Sequence, residues 1–251
     1  MKIQIMRRYL WLSERPVKSM ARKKVVFVIV EGPSDDTALS VILSRYYQPD
    51  KVYVDILYRD ITTEKGVNSA NIISKLGNEI RQYLKVNSFI RRSDILQIIH
   101  LVDMDGVYIS DANVLEDLKQ NKTLYSDREI LTNNPPGIRQ RNLQKRAVLD
   151  RLCKHHDILK IPYRIFYMSC NLDHALYGKR NSSDKEKESD AVAFAQRYKD
   201  DIPGFLSFIA ASDFSVVTSY DASWQYIKEG THSLERHTNL GLCFALDKVS
   251  G

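Results

Sequence analysis

Residues 25–30, Val-Val-Phe-Val-Ile-Val, form an unbroken apolar and largely β-branched run that stops abruptly at Glu31-Gly32-Pro33-Ser34-Asp35-Asp36. A strand with no polar face has to be covered on both sides, so this run predicts an inner strand of a parallel sheet with helices on either face. The residues after the break then read as helix over 37–47, with Ala38, Leu39, Ile42, Leu43 and Tyr46 on one stripe and Ser34 as a candidate N-cap.

The pattern repeats. Residues 52–58 alternate as a second strand, 60–68 are polar and loop-like, and 70–86 carry Ile72, Ile73, Leu76, Ile80, Tyr83 and Leu84 at helical spacing. A third buried strand over 95–102 ends at Asp103-Met104-Asp105-Gly106, and a fourth is expected over 163–168. Strands alternating with helices imply a mostly parallel α/β fold. Between them, 107–160 is irregular, with a turn at Asn133-Asn-Pro-Pro-Gly and a basic helix over 138–156. Short helices are expected over 189–198, 203–211, 222–228 and 233–240, after a charged loop at 181–189. The organisation expected is a basic N-terminal extension over 1–23, an α/β domain over 24–180 carrying the insertion, and a helical C-terminal part over 181–251 packed on it.

The net charge of +6 suggests a nucleic-acid partner until its location is considered. Residues 1–24 hold eight Lys/Arg and one acid, whereas the remaining chain has 29 basic and 30 acidic residues. The extension is thus an arm for phosphate or a partner, or an upstream addition if Met20 is the start. No apolar run approaches the roughly 20 residues that span a bilayer. Three separated cysteines, Cys153, Cys170 and Cys243, suit neither a disulfide framework nor a zinc site and point to a reducing, cytoplasmic setting.

The chemistry concentrates in acids. Glu31 ends the first strand, and Asp103 and Asp105 end the third; in a parallel sheet those ends share the edge where open α/β folds bind ligands. If the third strand continues, the i, i+2 spacing points both aspartates the same way. Gathered carboxylates repel one another unless a cation lies between them, and oxygen donors alone favour Mg²⁺ or Mn²⁺, the ions of phosphoryl chemistry. The plain alternative is that Asp-Gly is a turn and a strand-end acid caps the next helix.

The two motifs, Val-Ile-Val-Glu31-Gly32-Pro33-Ser34-Asp35 and Leu-Val-Asp103-Met104-Asp105-Gly106, resemble the paired signatures of the Toprim domain, over roughly residues 24–180. Toprim domains occur in topoisomerases, bacterial primases, OLD-family nucleases and small ribosomal-RNA-maturing nucleases. The resemblance implies a Rossmann-like sheet, a general acid/base or metal-positioning role for Glu31, and metal ligation by Asp103 and Asp105. Asp35 looks like the extra metal ligand of OLD-type nucleases. The Asp-x-Asp-Gly ending resembles those enzymes more than the Asp-x-Asp-Arg-Glu-Gly of type IA topoisomerases. After the fourth strand, Ser169-Cys170-Asn171-Leu172-Asp173-His174 is similar to their Ser/Asn-x-Glu element, with Asp in place of Glu. By that resemblance Asp173 adds a further metal ligand; the plain alternative is that Asn171 or Asp173 caps a short helix.

Residues 138–164 carry eight Lys/Arg against Asp150 and Asp157, a pattern that suits a surface tracking a nucleic-acid backbone through Arg139, Arg141, Lys145 and Arg146, or simply a solvated helix face. Lys179 is a further candidate phosphate contact. His155 and His156 read as surface residues, His174 as the best placed site histidine, and Trp224 as core rather than a base-stacking platform. No Gly-x4-Gly-Lys-Ser/Thr pattern occurs, and since OLD nucleases join Toprim to an ATPase, the resemblance implies either independent action or an ATPase partner in trans. The function expected is a divalent-metal-dependent endonuclease of DNA or RNA, in antiphage defence by resemblance, with a homo-oligomer compatible. A binding module with a vestigial site and an RNA-maturation ribonuclease stay open as alternatives.

Overall fold

The computed structural model describes residues 23–48 and 50–247. The basic N-terminal segment up to residue 22 lies outside them. In chain order the elements are β1 (Lys24–Val30), α1 (Pro33–Tyr46), β2 (Val52–Tyr58), α2 (Ile72–Val86), β3 (Ile95–Asp103), β4 (Val114–Glu116), β5 (Leu124–Tyr125) and β6 (Ile130–Thr132). These are followed by α3 (Pro135–Leu152), β7 (Asp157–Ile158), β8 (Ile161–Ser169), α4 (Leu172–Tyr177), α5 (Asp184–Tyr198), α6 (Ile202–Ala211), α7 (Tyr220–Tyr226), β9 (His237–Thr238) and α8 (Gly241–Asp247).

The main sheet has the order β2-β1-β3-β8-β7, with β9 also pairing β8. The pairs β1·β2, β1·β3 and β3·β8 are parallel, whereas β7 and β9 run antiparallel to β8. The expected α/β architecture with a mostly parallel sheet between helices is therefore present. Every residue from Val25 to Val30 is at most 1% exposed, as the unbroken apolar run requires. Its odd-numbered residues pack with Ile72, Leu76 and Ile80 of α2, Val148, Leu149 and Leu152 of α3, and Trp224. Its even-numbered residues pack with α1 and with Phe194, Phe205 and Phe244 of α5, α6 and α8. Two helical layers thus sandwich one sheet, each taking alternate side chains of the same strand.

Strand β1 has β2 on one side and β3 on the other, so the chain reverses direction across the sheet between β1 and β3. Loops leaving the carboxyl ends of those strands diverge there and open a crevice, the usual ligand position in such sheets.

The insertion folds into a small second sheet, β4-β6-β5, followed by α3. The C-terminal part shares the main body: β9 extends the sheet, α5 lies against α1, and α6 and α8 close one core layer. Three local expectations are corrected. The N-cap of α1 is Gly32, with Pro33 at the first helical position, not Ser34. Helix α5 begins at Asp184 inside the expected charged loop, because Ser183 and Glu186 form a reciprocal capping box. Residues 233–240 are not helical; they run back to β8 as β9, with Thr238 Oγ1 donating to the Tyr167 carbonyl and Tyr167 N donating to Asn239 Oδ1.

Candidate functional site

The parallel strands deliver acids to one edge. Glu31 follows β1, Asp60 follows β2, Asp103 closes β3, and Asn171 and Asp173 follow β8. A cation meets them from α3: Lys145 Nζ lies 2.9 Å from Asp105 Oδ2 and 3.4 Å from Glu31 Oε1, and its side chain is 0% exposed. Glu31 and Asp105 are therefore drawn together around one buried ammonium. Thr62, fully buried, donates to Glu31 Oε1 (3.4 Å) and to Asp60 Oδ1 (3.1 Å), which links the ends of β1 and β2.

Asp103 and Asp105 do not continue as a strand. β3 ends at Asp103; Asp105 and Gly106 both take left-handed backbone conformations (φ 49° and 66°), and Asp105 N and Gly106 N donate to the carbonyls of Cys170 and Ser233. The two aspartates therefore face different partners. Asp103 Oδ1 accepts from Leu172 N at the start of α4, whereas Asp105 faces Lys145 on α3. Gly106 has a steric reason to be glycine, since a Cβ there would lie 2.6 Å from Leu234 Cδ2.

A second acidic lobe adjoins the first. Asp35 Oδ2 accepts from Gly32 N at 2.9 Å, and Asp173 Oδ2 lies 3.4 Å from Lys187 Nζ of α5. Asp35 and Asp173 are 7% and 3% exposed. The Asp173 charge raises the energy of ionised Asp35, and Asp35 acts likewise on Asp103. Asp103 thus stands between a lobe of Glu31, Asp60, Asp105 and Lys145 and a lobe of Asp35, Asp173 and Lys187.

The electrostatics follow this division. Burial, partly opposed by Lys145 and reinforced by Asp60, Asp105 and Asp35, lifts Glu31 to about 8. Burial, then Glu31 and Asp35, hold Asp103 well above the usual carboxylate range. Burial likewise lifts Asp35 to about 6, with Asp173 adding to the rise and the Gly32 hydrogen bond opposing it. Asp105 is the exception: burial raises it, but Lys145 and Arg141 outweigh burial and hold it below its ordinary value. Lys145 is desolvated too, yet Asp105, Glu31 and Asp60 keep it firmly charged.

Of the α3 residues expected to track a phosphate backbone, Lys145 is turned away from that role, whereas Arg139 is exposed and Arg141 and Arg146 are partly so. Lys145 is buried in the acid site and faces no solvent. Arg141 gives its guanidinium to the Asp105 carbonyl, Tyr125 Oη and Asn142 Oδ1. Arg146 donates to the carbonyls of Val107 and Ile109, and Arg139 to those of Asp111 and Val114. These arginines pin the loop that carries Asp105 to the helix behind it. Lys179 pairs with Asp190.

Asn171 serves as the N-cap of α4, its Oδ1 accepting from His174 N at 2.9 Å. His174 is structural: its Nδ1 accepts from Cys170 N, and burial together with Arg180 lowers it to about 4, so the ring stays neutral. Trp224 is buried edge-on against Tyr167. Asp60, Thr62 and Lys187 escaped the sequence reading; Asp60 was accessible to it, since it follows a parallel strand just as Glu31 does.

Among the described residues, no group of three or more His, Cys, Asp and Glu side chains is arranged so that it could hold a metal ion. Mg²⁺ nevertheless commonly binds through one or two carboxylates with water and a phosphate completing its shell. The donors fit that habit: they are hard oxygens in mutual repulsion, and Asp173 Oδ1 is buried with no hydrogen-bond partner.

No protein-family model, curated protein or solved structure matches this chain. No helix among the described residues is long and apolar enough to cross a membrane.

Proposed function

We propose that this chain is a divalent-metal-dependent phosphodiesterase of the Toprim type, an endonuclease acting on DNA or RNA. One observation carries the reading: acids from the ends of β1, β2, β3 and β8 meet at one edge of a parallel sheet, packed closely enough that most of them resist ionisation. Their separate origins in sequence weigh against a chance surface cluster, and structural caps would not require a fully buried lysine among them. The resemblance of the Glu31–Asp35 and Asp103–Gly106 segments to the Toprim signatures supports the same conclusion.

Asp103 with one neighbouring carboxylate, Asp35 or Asp173, would hold Mg²⁺ or Mn²⁺, which when bound supplies a polarised water and a counter-charge for the scissile phosphate. Glu31, lifted to about 8, carries a proton at neutral pH and is suited to deliver it to the leaving oxygen. Lys145 keeps Asp105 ionised and fixes Glu31 in place. Arg141 and Gly106 hold the turn that presents Asp105. By the same resemblance, control falls to an ATPase partner in trans, which copurification of the two chains would test.

The test is replacement of Glu31 and, separately, Asp103 by alanine, with labelled DNA and RNA offered side by side in Mg²⁺ and Mn²⁺. Cleavage by the wild type that both variants lose supports the reading, and undiminished cleavage by both rejects it. The ammonium between Glu31 and Asp105 favours one second reading, a nucleic-acid or partner-binding module whose acids are structural. That module binds without taking up Mn²⁺.

A further inference from the structure

The acids stand where the parallel strands end, and the places where the same strands begin carry the opposite charge. Lys51 precedes β2, Lys24 opens β1, Arg91 and Arg92 precede β3, and Lys160 precedes β8; all five are exposed. Parallel strands share their amino ends, so in the order β2-β1-β3-β8 these cations form one row across the end of the sheet opposite Glu31 and Asp103. Neighbouring strands lie about 4.8 Å apart, which makes the row about 14 Å long. Lys24 ties its members together: its N donates to the Lys51 carbonyl at 3.1 Å, and its Nζ to the Ser93 carbonyl at 3.0 Å.

The row deepens into an open cleft of about 460 Å³ lined by Arg91, Arg92, Ser93, Ile95, Lys160 and Ile161, with three cations and no acid. None of those three cationic side chains has a hydrogen-bond or ion-pair partner among the described residues. Of the acids beside the row, Asp94 is buried and accepts from Arg91 N, Asp157 accepts from Lys160 N, and Asp50 lies at the far end beside Lys51. The two-residue turn between β7 and β8 holds Lys160 in place: Leu159 and Lys160 both take left-handed conformations (φ 54° and 64°), where glycine or asparagine is usual.

Like charges gathered without counter-ions favour a polyanion, and the planar forks of arginine suit phosphate oxygens. Phosphates of one strand recur at about 3.4 Å along a duplex axis, so a row of about 14 Å meets several in succession. The chain also enters β1 at this end, and residues 1–22 before it add six Lys/Arg against the single acid Glu14.

We propose that the amino-terminal end of the sheet is a second nucleic-acid contact, gripping the phosphate backbone in the cleft of Arg91, Arg92 and Lys160. It rests on the phosphodiesterase reading only in naming nucleic acid as the polyanion. The nine residues of β3 put this contact about 30 Å from the acids. At that distance it adds affinity without touching the reacting bond, and it holds a long substrate, or a second segment of one, away from the site of cleavage.

The test is fluorescence anisotropy of the full chain with labelled DNA and RNA of about 30 nucleotides, without divalent ions so that nothing is cleaved. R91A/R92A/K160A alters exposed side chains only. It should weaken binding at least about tenfold at about 0.1 M salt and make the slope of log K against log salt shallower by about 2. K119A/K122A/K185A removes three exposed cations from the insertion and α5, and should stay within about threefold of wild type.

Wild-type affinity and slope in R91A/R92A/K160A, or equal losses in the two triple variants, would overturn the proposal. Either outcome leaves the phosphodiesterase reading standing, since cleavage by the Glu31 and Asp103 variants decides that one. Vesicles containing phosphatidylserine are the second probe. Tighter binding to them than to the oligonucleotides, lost in R91A/R92A/K160A, would assign the cleft to a lipid surface and overturn the proposal as well.

Discussion

Lys145 Nζ approaches Asp105 Oδ2 to 2.9 Å across forty residues of sequence, in a pocket closed to solvent on the lysine side. The contact ties α3 to the turn after β3, and through Glu31 it reaches β1 as well. Replacing Lys145 by methionine keeps the aliphatic bulk and removes the charge. The expected result is a loss of about 3 kcal/mol in the metal-free protein, the usual scale when one member of a buried ionic set is deleted. Urea denaturation monitored by far-UV circular dichroism measures it; a change below about 1 kcal/mol would show that the ammonium is not needed to offset the acids.

Asp103 offers the opposite case, a side chain whose charge the fold resists. Asparagine retains an oxygen for Leu172 N and removes the repulsion from Glu31 and Asp35. D103N should therefore raise the Tm of the metal-free protein by about 2–4 °C, the equivalent of about 1 kcal/mol for a chain of this size. The same change should reduce cleavage by on the order of 100-fold or more. A stabilised but inactive variant is the signature of a charge kept for chemistry.

Glu31 fixes a pH dependence whose sign is definite. Its folded-state value of about 8 exceeds the ordinary 4.5, so the native state holds this proton more tightly than the unfolded chain does. The stability associated with that proton is complete below about 4.5 and is lost as the pH rises through 8. Only above about pH 7.5 are the buried His100 and His174, lowered to about 3 and about 4, neutral in the folded and the unfolded chain alike, so the trend is read between pH 7.5 and 8.5. Thermal melts of metal-free protein should fall across that interval, and E31Q should fall less steeply. Parallel curves would contradict the raised carboxyl.

Gly106 should tolerate no side chain. Alanine there must adopt φ near 66° and place its Cβ against Leu234 and Ile130. G106A should cost about 2 kcal/mol or more, combining the left-handed penalty with the clash. Trimming Leu234 to alanine in the same chain should recover the steric part but not the conformational part, which a double-mutant cycle of denaturation midpoints resolves.

The arginines of α3 should behave as structural struts. Joint replacement of Arg139 and Arg146 by alanine removes donors to the carbonyls of Val107, Ile109, Asp111 and Val114. Lower thermal stability is expected, with the salt dependence of nucleic-acid binding unchanged within about one phosphate contact. A slope shallower by two would return these residues to the binding surface.

How far the sequence carries can be argued from particular residues. Val25–Val30 announced a strand covered on both faces because burial on two sides leaves no room for polar alternation. Glu31 and Asp103 could be placed on one edge because parallel strands share their carboxyl ends. Asp60 obeys the same rule, but the polar stretch around it reads as an ordinary loop. Lys145 was hidden for a different reason: on a helix with many basic residues, nothing local tells which one turns inward, and only the acids brought over by β1 and β3 reveal it. β5 and β7, of two residues each, are too short to leave a period. The path of 233–240 is set by β8, not by its own propensity.

That returning segment has a consequence for the order in which the protein matures. Ser233 accepts from Gly106 N through its carbonyl and from Tyr108 N through its hydroxyl, and His232 accepts from Ser169 Oγ. The turn presenting Asp105 thus takes its final shape only after residues some 130 positions downstream have been synthesised and laid across it. A growing polypeptide still on the ribosome carries all the acids but lacks the clasp that arranges them, so the acidic cluster cannot take its final geometry until translation has passed β9.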